Sequence, residues 1–456
     1  MAQKIKALFA FLLMIAFVTT LTGCKQYLDE RPDKSLVIPK NLEDLQGLLD
    51  ANYIMNNASY LGEESADNYY LKSSDWSSLS NDDDKNIYVW GEANFDEIPN
   101  DWSRLYQIIY NANVALEYLK TMSRNEQNRT SWDNIKGSAF FFRAEAFFWV
   151  AINWTTAYDS ATAEKDPGIP LRLSTDFNEV STRSTIKDTY QQIIQDLKAA
   201  VSLLPIVPLH VMRPSKPAAY GLLSRVYLYM GDYTRAGMYA DSCLQLFHTL
   251  MDYNTIDTIQ SYPIPVFNPE VIFHSIVVMP QNLDDMRAII DSSLYESYQS
   301  NDLRKLIFFK PNSDGSFRFN GSYNGSWILF MGIATDEIYL TRAECYAREG
   351  KTKDALSDLN LLLSARWRKN TFTSLDITDP KEVLNKILTE RRKELLMRGL
   401  RWMDLKRLNK EPEYSIKIQR NLNGIIYELK ANDPRYSLPI PRSVISLSGM
   451  LQNPRH

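Results

Sequence analysis

Cys24 is the residue whose position most directly indicates a chemical modification. It follows a short segment with two lysines and an unbroken apolar run of 12 residues from Ala7 to Val18. A membrane-spanning helix needs about 20 apolar residues, so this run is too short to span and is typical of a secretory signal peptide. The sequence Leu21-Thr22-Gly23-Cys24 resembles a bacterial lipobox, whose cysteine becomes the lipidated N-terminus. We therefore predict a signal peptide over residues 1–23 and a lipid anchor on Cys24; an ordinary signal peptide that contains a cysteine is the alternative.

Residues that could carry catalysis do not occur at a recognisable catalytic spacing. The four histidines are not arranged as a metal-binding pair. The chain has no Walker loop, no Gly-x-Ser-x-Gly elbow and no dinucleotide fingerprint. Asp82, Asp84 and Asn86 alternate as in a calcium loop, but Ile87 stands where such a loop has glycine and Ala93 where it has glutamate. This favours a solvated acidic turn, and the sequence predicts no metal, no cofactor and no enzyme.

Charge and cysteine content exclude further classes of protein. The chain of 456 residues has a net charge of −4, and loss of the signal peptide with its lysines makes the mature chain more acidic. A general nucleic-acid binder needs a basic face, so we expect no nucleic-acid partner. Apart from Cys24, only Cys243 and Cys345 are present. Both lie in helical patterns, which favours buried free thiols, and a disulfide between them is the alternative.

Helical periodicity dominates the rest of the chain. A helix is predicted after each of Asn41, Asp101, Trp132 and Thr185, because apolar residues recur at helical spacing there and polar residues cap the starts. The charged segment 390–409 also fits a helical scaffold, with Glu394 placed to pair with Arg398.

An internal repeat gives the helices an architecture. When residues 222–244 and 339–363 are aligned on Gly231 and Gly350, Tyr227 matches Tyr346 and Ala236 matches Ala355. Each unit reads as a helix, a tight turn at the glycine and a second helix, which is the tetratricopeptide-like pattern. The Arg-Ala-Glu triplet at 342–344 also occurs at 143–145, which indicates another such unit. We therefore predict a mainly α fold: a tetratricopeptide-like scaffold of helix pairs, with long loops and a few short strands packed on it.

Two regions lack this periodicity, residues 52–100 and about 251–334. They are polar and aromatic, and the second contains several prolines. We predict loops and short strands there, and binding residues often lie on such loops. The predicted organisation is a signal peptide over 1–23, a lipidated tether over 24–40 and a single helical domain over 41–456.

Several segments resemble the SusD/RagB family of outer-membrane nutrient-binding lipoproteins of Bacteroidetes. They are YLDERPDKSL after the lipobox, WSRLYQIIYNANVALE, RPSKPAAYGLLSRVYLYMGDYTRA, YLTRAECYAREG, ERRKELLMRGLRWMDLKRLN and LPIPRSVISLSGMLQNP. The resemblance covers nearly the whole mature chain, in the family's order. It implies a helical fold, a location on the outer membrane facing the cell exterior, and a SusC-like TonB-dependent barrel transporter as partner. The implied function is non-catalytic capture of a nutrient, usually a glycan.

The resemblance supplies no ligand-binding residues, so the candidates come from the chemistry of sugars. Sugars combine apolar C–H faces with polar rims, and a binder uses exposed aromatic rings beside hydrogen-bonding side chains. Both irregular regions offer this mixture, provided that they converge in the fold. The candidates are Asp67, Asn68, Tyr69, Tyr70, Trp76, Trp90, Arg318, Tyr323 and Trp327. Trp76 and Trp327 are favoured, because their neighbours are polar or small.

Three other functions remain open at this stage. Peptide capture is possible on the same architecture. A surface glycoside hydrolase needs only two carboxylates close in space, which sequence spacing does not reveal. A lid without ligand affinity of its own is the third possibility.

Overall fold

Seventeen α-helices occur in residues 39–455, the part of the chain that the computed structural model describes. The predicted signal peptide and Cys24 lie outside these residues. The helices are α1 (Leu42–Leu49), α2 (Asn52–Met55), α3 (Leu61–Ser65), α4 (Ser73–Ser77), α5 (Asp82–Tyr88), α6 (Asp101–Thr121), α7 (Arg129–Trp154), α8 (Ile186–Leu203), α9 (Lys216–Tyr229), α10 (Tyr233–Leu246), α11 (Ser292–Glu296), α12 (Arg304–Ile307), α13 (Thr335–Arg348), α14 (Thr352–Ser364), α15 (Pro380–Glu394), α16 (Arg401–Leu408) and α17 (Arg442–Ser448).

The long helices form a stack in which α6, α7, α8, α9, α10, α13 and α14 pack in turn, with α15 against α13. Helix α6 begins at a capping box, where the Asn100 side chain accepts from the Ser103 backbone and the Ser103 side chain accepts from the Asn100 backbone. The second half of α7 is buried on all sides, because it lies in the middle of the stack. The predicted mainly α fold is confirmed.

The repeat is visible in the two turns that join the helix pairs. Gly231 between α9 and α10 and Gly350 between α13 and α14 both have φ of +75°. The residue after each glycine donates its backbone N–H to the carbonyl of the matching tyrosine, Tyr227 at 2.9 Å and Tyr346 at 2.8 Å. Space for a side chain exists at both glycines, so the positive φ is what requires glycine there.

The two Arg-Ala-Glu triplets also occupy equivalent positions. Arg143 on α7 makes a bidentate pair with Asp196 on the next helix, with both bonds at 2.7 Å. Arg342 on α13 makes the same kind of pair with Asp358 on the next helix, at 2.8 and 2.7 Å. The prediction that the helix around residue 143 begins another helix pair therefore agrees with the contacts.

The glutamates of the triplets differ, because only one has a cation to pair with. Glu344 accepts two bonds from Arg407, at 2.6 and 2.8 Å, and one from Arg348. Burial opposes its ionisation, but these arginines outweigh burial and lower its pKa to about 2. Glu145 is equally enclosed and its Oε1 atom has no hydrogen-bond partner among the described residues. Burial, only partly opposed by Arg225, raises the pKa of Glu145 to about 8.

Replacement of Glu145 by glutamine should therefore change how stability depends on pH. A carboxyl with a raised folded pKa favours folding fully below its unfolded pKa of 4.5, and this contribution is lost as pH rises through the folded value. Between pH 5 and 8 the native chain should lose about 1.4 kcal/mol per pH unit from this group, and Glu145→Gln should remove that slope. Urea unfolding at several pH values measures it.

Glu344→Gln is the matched control in the second triplet. Because its folded pKa lies below 4.5, its contribution is constant between pH 5 and 8, so the variant should lose stability by the same amount at every pH in that range. An unchanged slope in Glu145→Gln would contradict the assignment of the raised pKa.

Ten short strands, all paired antiparallel in two-stranded sheets, occur among the described residues. They are β1 (Tyr69–Tyr70), β2 (Pro167–Pro170), β3 (Arg183–Thr185), β4 (Val271–Phe273), β5 (Ile289–Ile290), β6 (Phe309–Pro311), β7 (Phe317–Phe319), β8 (Ile333–Ala334), β9 (Ile418–Leu422) and β10 (Ile425–Leu429). Strands β4–β8 occupy the predicted irregular region 251–334. The region 52–100 is more helical than predicted, because it contains the short helices α2–α5.

Cys243 and Cys345 are free and buried, as the helical patterns predicted. No helix within residues 39–455 combines the length and the apolar character needed to cross a bilayer.

Candidate functional site

The two irregular regions meet in the fold. Strand β1 pairs with β5, with Tyr70 opposite Ile289, and β5 packs beside β7. The Lys72 ammonium lies 2.7 Å from the Asp314 carboxylate in the turn between β6 and β7. Residues near position 70 and residues near position 318 are therefore neighbours, as a shared binding site requires.

At one end of the surface where the two regions meet, tyrosine side chains lie near a guanidinium that has no hydrogen-bond or ion-pair partner within residues 39–455. Tyr70 is 37% exposed. The Tyr262 hydroxyl donates to Asp285 at 2.7 Å. Burial and the Asp285 carboxylate raise the pKa of Tyr262 to about 12, and the nearby Arg318 guanidinium opposes the shift. Half-buried Arg318 lies at the centre of β7, opposite Lys310, and its side chain makes no hydrogen bond and no ion pair to any residue that the structure describes. It is therefore available to bind a ligand oxygen.

The other end presents two further aromatic rings. Trp327 is 43% and Phe267 40% exposed. Phe267 has φ of +55°, which is unfavourable for a bulky residue and is usually found where the surroundings impose it. Its ring meets the ring of buried His274 at 4.8 Å and that of exposed His210 at 4.6 Å. These edge contacts hold the phenyl ring at the surface.

A short segment connects the two ends. Tyr262 and Phe267 are five residues apart, which spans at most about 17 Å. The backbone of Gly325, two residues before Trp327, packs on the Val266 backbone, since a Cβ at Gly325 would lie 3.0 Å from the Val266 nitrogen. We call the surface formed by Tyr70, Tyr262, Phe267, Arg318 and Trp327 the loop face.

Five of the nine predicted ligand-binding residues are not available on this surface. Asp67 lies between Arg401 and Arg392, which take up its carboxylate. Asn68 is buried and donates to Glu63 at 2.7 Å. Tyr69 is buried and its hydroxyl donates to the Glu64 carbonyl. The expectation of exposure was wrong for Asn68 and Tyr69, which are buried; Asp67 is half-buried, and its carboxylate is already bound by two arginines.

Trp90 and Tyr323 are corrected for the same reason. The Trp90 indole is 1% exposed and donates to the Ser65 carbonyl at 2.9 Å. The Tyr323 hydroxyl, also buried, donates to Glu270 at 2.7 Å. Both rings are buried beneath the loops and are therefore not exposed for a sugar to stack on.

Four predicted residues remain accessible: Tyr70, Trp76, Arg318 and Trp327. Trp76 is half-buried and its indole donates to the Lys85 carbonyl at 3.1 Å, so only part of its ring is free. Tyr262 and Phe267 were missed. The signal for them was the run YPIPVFNP, in which closely spaced prolines exclude a regular helix or central strand and indicate an irregular segment.

A cavity of about 490 Å³ lies beside α6, and none of its lining residues belongs to the loop face. Its rings include Trp102, Tyr106 and Tyr110, with Phe177 at 78% exposed on the rim. The main polar side chains are already bound within the protein: Asn113 donates to the Arg172 and Ser174 carbonyls, and Arg172 contacts Glu179. Fewer groups are thus free to bind sugar hydroxyls here than on the loop face.

Two family models match the chain over most of its length. Residues 26–228 match the SusD-like family described as starch-binding and associating with the outer membrane. Residues 319–456 match the SusD family, SusD_RagB. The chain therefore belongs to the SusD family, as the sequence motifs indicated. No sequence among the curated proteins matches it.

Solved structures share the fold at low sequence identity. A SusD superfamily protein from Bacteroides thetaiotaomicron superimposes with a TM-score of 0.74 at 21% identity, covering 91% of this chain and 100% of its own. A SusD-like carbohydrate binding protein from Bacteroides vulgatus has a TM-score of 0.63 at 20% identity, covering 86% and 89%. A laminarin binding SusD-like protein has a TM-score of 0.67 at 17% identity, covering 92% and 100%.

Proposed function

We propose that this protein is a lipid-anchored lipoprotein of the outer membrane that binds an oligosaccharide at the cell surface, without cleaving it, and delivers it to a SusC-like TonB-dependent transporter. The observation that carries the proposal is the loop face. The loop face has four partly exposed aromatic rings from three segments and, near Tyr262, a guanidinium that has no internal partner in the described part of the chain. Rings accept the apolar faces of sugars, and the guanidinium binds their oxygens.

Membership in the SusD family and the similarity to carbohydrate-binding structures support a glycan ligand. The anchor in this proposal is Cys24. Attachment through a lipid leaves the folded domain free to hold a ligand between itself and the barrel, and contact with both partners raises the effective affinity for one glycan chain.

The test is binding of the soluble chain, residues 25–456, to plant, host and microbial glycans beside a mixed peptide library. We expect affinity for one class of glycan, and about a fivefold loss in Trp327→Ala, since one ring stacked on a sugar contributes on the order of 1 kcal/mol. Phe177→Ala is the matched control, because this exposed ring lies outside the loop face.

Other outcomes identify the other functions. Binding to peptides alone would replace glycan capture by peptide capture. Turnover of a bound oligosaccharide would show a hydrolase. A normal affinity in Trp327→Ala would exclude the loop face as the sugar platform. Trp76→Ala, measured in parallel, shows whether the half-buried Trp76 ring contributes.

A further inference from the structure

A basic cavity of about 370 Å³ lies between α11, α15 and α16. Its lining includes the cationic residues Arg392, Lys393 and Arg401. Around them are hydroxyl and amide side chains, namely Ser293, Ser297, Asn385, Thr389 and Asn409. We call it the arginine cavity. Its chemistry differs from the loop face, which has several rings and one cation.

The two arginines share a single carboxylate. Arg401 donates to Asp67 through Nε and Nη2, at 2.6 and 2.9 Å. The Arg392 guanidinium lies 3.2 Å from the same carboxylate. Lys393 is held elsewhere, by Asp302 and Glu390. Asp67 is thus the one carboxylate among the described residues in direct contact with both guanidiniums. Asp291 acts on Arg392 and Asp404 on Arg401 from further away.

Arg392 has unused hydrogen-bonding capacity. Its Nε atom is buried and has no partner among the described residues. Burial lowers the pKa of Arg392 even though Asp67 opposes the shift, which indicates that its charge is incompletely compensated. The Nε atom is closed off from the cavity, so a ligand would reach the guanidinium from its exposed part. The Arg392 side chain is 26% exposed; Nη2 donates to the Asp67 carbonyl at 3.0 Å, and Nη1 makes no hydrogen bond to any residue that the structure describes, so it can donate to a bound oxyanion.

Residues of the arginine cavity are near residues of the loop face in sequence, and this limits the distance between the two sites. Asp67, which binds both arginines, is three residues before Tyr70, a separation of at most about 11 Å. Ser293 in the cavity follows β5, the strand that pairs with Tyr70. A glycan on the loop face can thus extend a charged substituent toward the guanidiniums.

We propose that the arginine cavity binds a carboxylate or sulfate group of the glycan, so that the protein selects acidic polysaccharides. This inference rests on the proposed glycan capture at the loop face. A guanidinium presents parallel N–H groups that match two oxygens of such an anion. The Asn385 amide, which makes no side-chain hydrogen bond to a described residue, can donate to a remaining oxygen, whereas Ser297, Thr389 and Asn409 already donate within the protein. Neutral glycans would bring no negative charge to the Arg392 guanidinium.

The test compares matched ligands on the soluble chain at low ionic strength. The probes are oligogalacturonate, its neutral methyl ester, a sulfated oligosaccharide, inorganic sulfate alone and an acidic peptide. We expect the acidic glycans, or one of the two kinds, to bind at least about tenfold more tightly than the neutral ester. Added salt should weaken this preference.

Two variants test whether the preference for acidic glycans arises in the arginine cavity. Arg392→Gln should bring the acidic-to-neutral ratio close to one. Thr389→Glu adds a repelling charge to the same cavity from an exposed helix position and should have the same effect without disturbing the Asp67 contacts. Gln191→Glu, on the exposed side of α8, is the control for added charge and should preserve the preference.

The outcomes separate this inference from the proposed function. Equal affinity for acidic and neutral glycans, with the loss in Trp327→Ala retained, overturns the arginine cavity and leaves glycan capture intact. A preference that survives in both cavity variants also overturns it, as does binding of inorganic sulfate or of the acidic peptide without selection among glycans. Failure to bind any glycan overturns the proposed function itself.

Discussion

Replacement of Arg366 by methionine should destabilise the protein by about 3–5 kcal/mol, because it leaves the buried Glu270 carboxylate without its cation and removes one of the two arginines that bind Glu394. Arg366 is fully buried and donates to Glu394 at 2.7 Å, to both oxygens of Glu270 at 2.8 and 2.9 Å, and to the Met251 carbonyl at 2.8 Å. Its guanidinium also lies 4.1 Å from the centre of the Tyr253 ring. Methionine fills similar space but supplies none of these donors.

The loss of Arg366 should also disturb the loop face, because Arg366 connects Glu394 at the end of α15 to Glu270 in the irregular region 251–334. Glu270 also accepts from the Tyr323 hydroxyl and from the Met251 backbone. Chemical unfolding of Arg366→Met, read beside glycan binding, measures both consequences. Arg124→Met is the control: its pair with Asp133 is partly exposed, so we expect a loss of at most about 1 kcal/mol. A loss that small in Arg366→Met would contradict the role given to the network.

Gly332→Ala should destabilise the protein by about 3 kcal/mol through overpacking. A Cβ at Gly332 would lie 2.0 Å from the Phe273 carbonyl oxygen and 2.7 Å from the Phe330 ring. The first contact is with backbone, where β4 pairs with β8, so no side-chain rotation relieves it. The Gly332 carbonyl also accepts from buried Arg225 at 2.7 Å.

Thermal or urea unfolding of Gly332→Ala tests this prediction, and glycan binding shows whether the displaced strand moves Trp327, five residues earlier. Gly47→Ala is the matched control. It lies within α1 with no atom near a new Cβ, so alanine should stabilise it by roughly 0.5–1 kcal/mol. If the two variants changed the free energy of unfolding by similar amounts, the prediction that a Cβ at Gly332 overpacks the structure would be contradicted.

The helical scaffold could be predicted from sequence because its determinants are local. Gly231 and Gly350 set the turns, and the paired alanines and tyrosines repeat at helical spacing. The ion pairs could not be predicted in the same way. The expected pair of Glu394 with Arg398 was wrong: Glu394 binds Arg304 and Arg366, at 2.8 and 2.7 Å, and Arg398 binds Asp336. The partners of Glu394 are distant in sequence, and only the fold brings them together.

The candidate site could be predicted only in part, for a similar reason. Trp327 and Trp90 both lie in irregular, polar surroundings, yet the first is half exposed and the second is buried against Trp402. Burial of an aromatic ring in a loop depends on what packs over it. Phe267 was missed because an apolar residue between prolines is normally expected to be buried under a loop. Its exposure follows from its positive φ, which the sequence composition does not reveal.

The measurement that most directly tests the central claim is a side-chain footprint of the soluble chain with and without its best glycan. Hydroxyl-radical labelling modifies exposed aromatic side chains and is suppressed where a ligand covers them. We predict protection of Tyr70, Phe267 and Trp327, with Tyr110 and Phe177 beside α6 unchanged. Protection of Tyr110 and Phe177 with continued labelling of Phe267 and Trp327 would contradict the account, because it would place the glycan in the cavity beside α6.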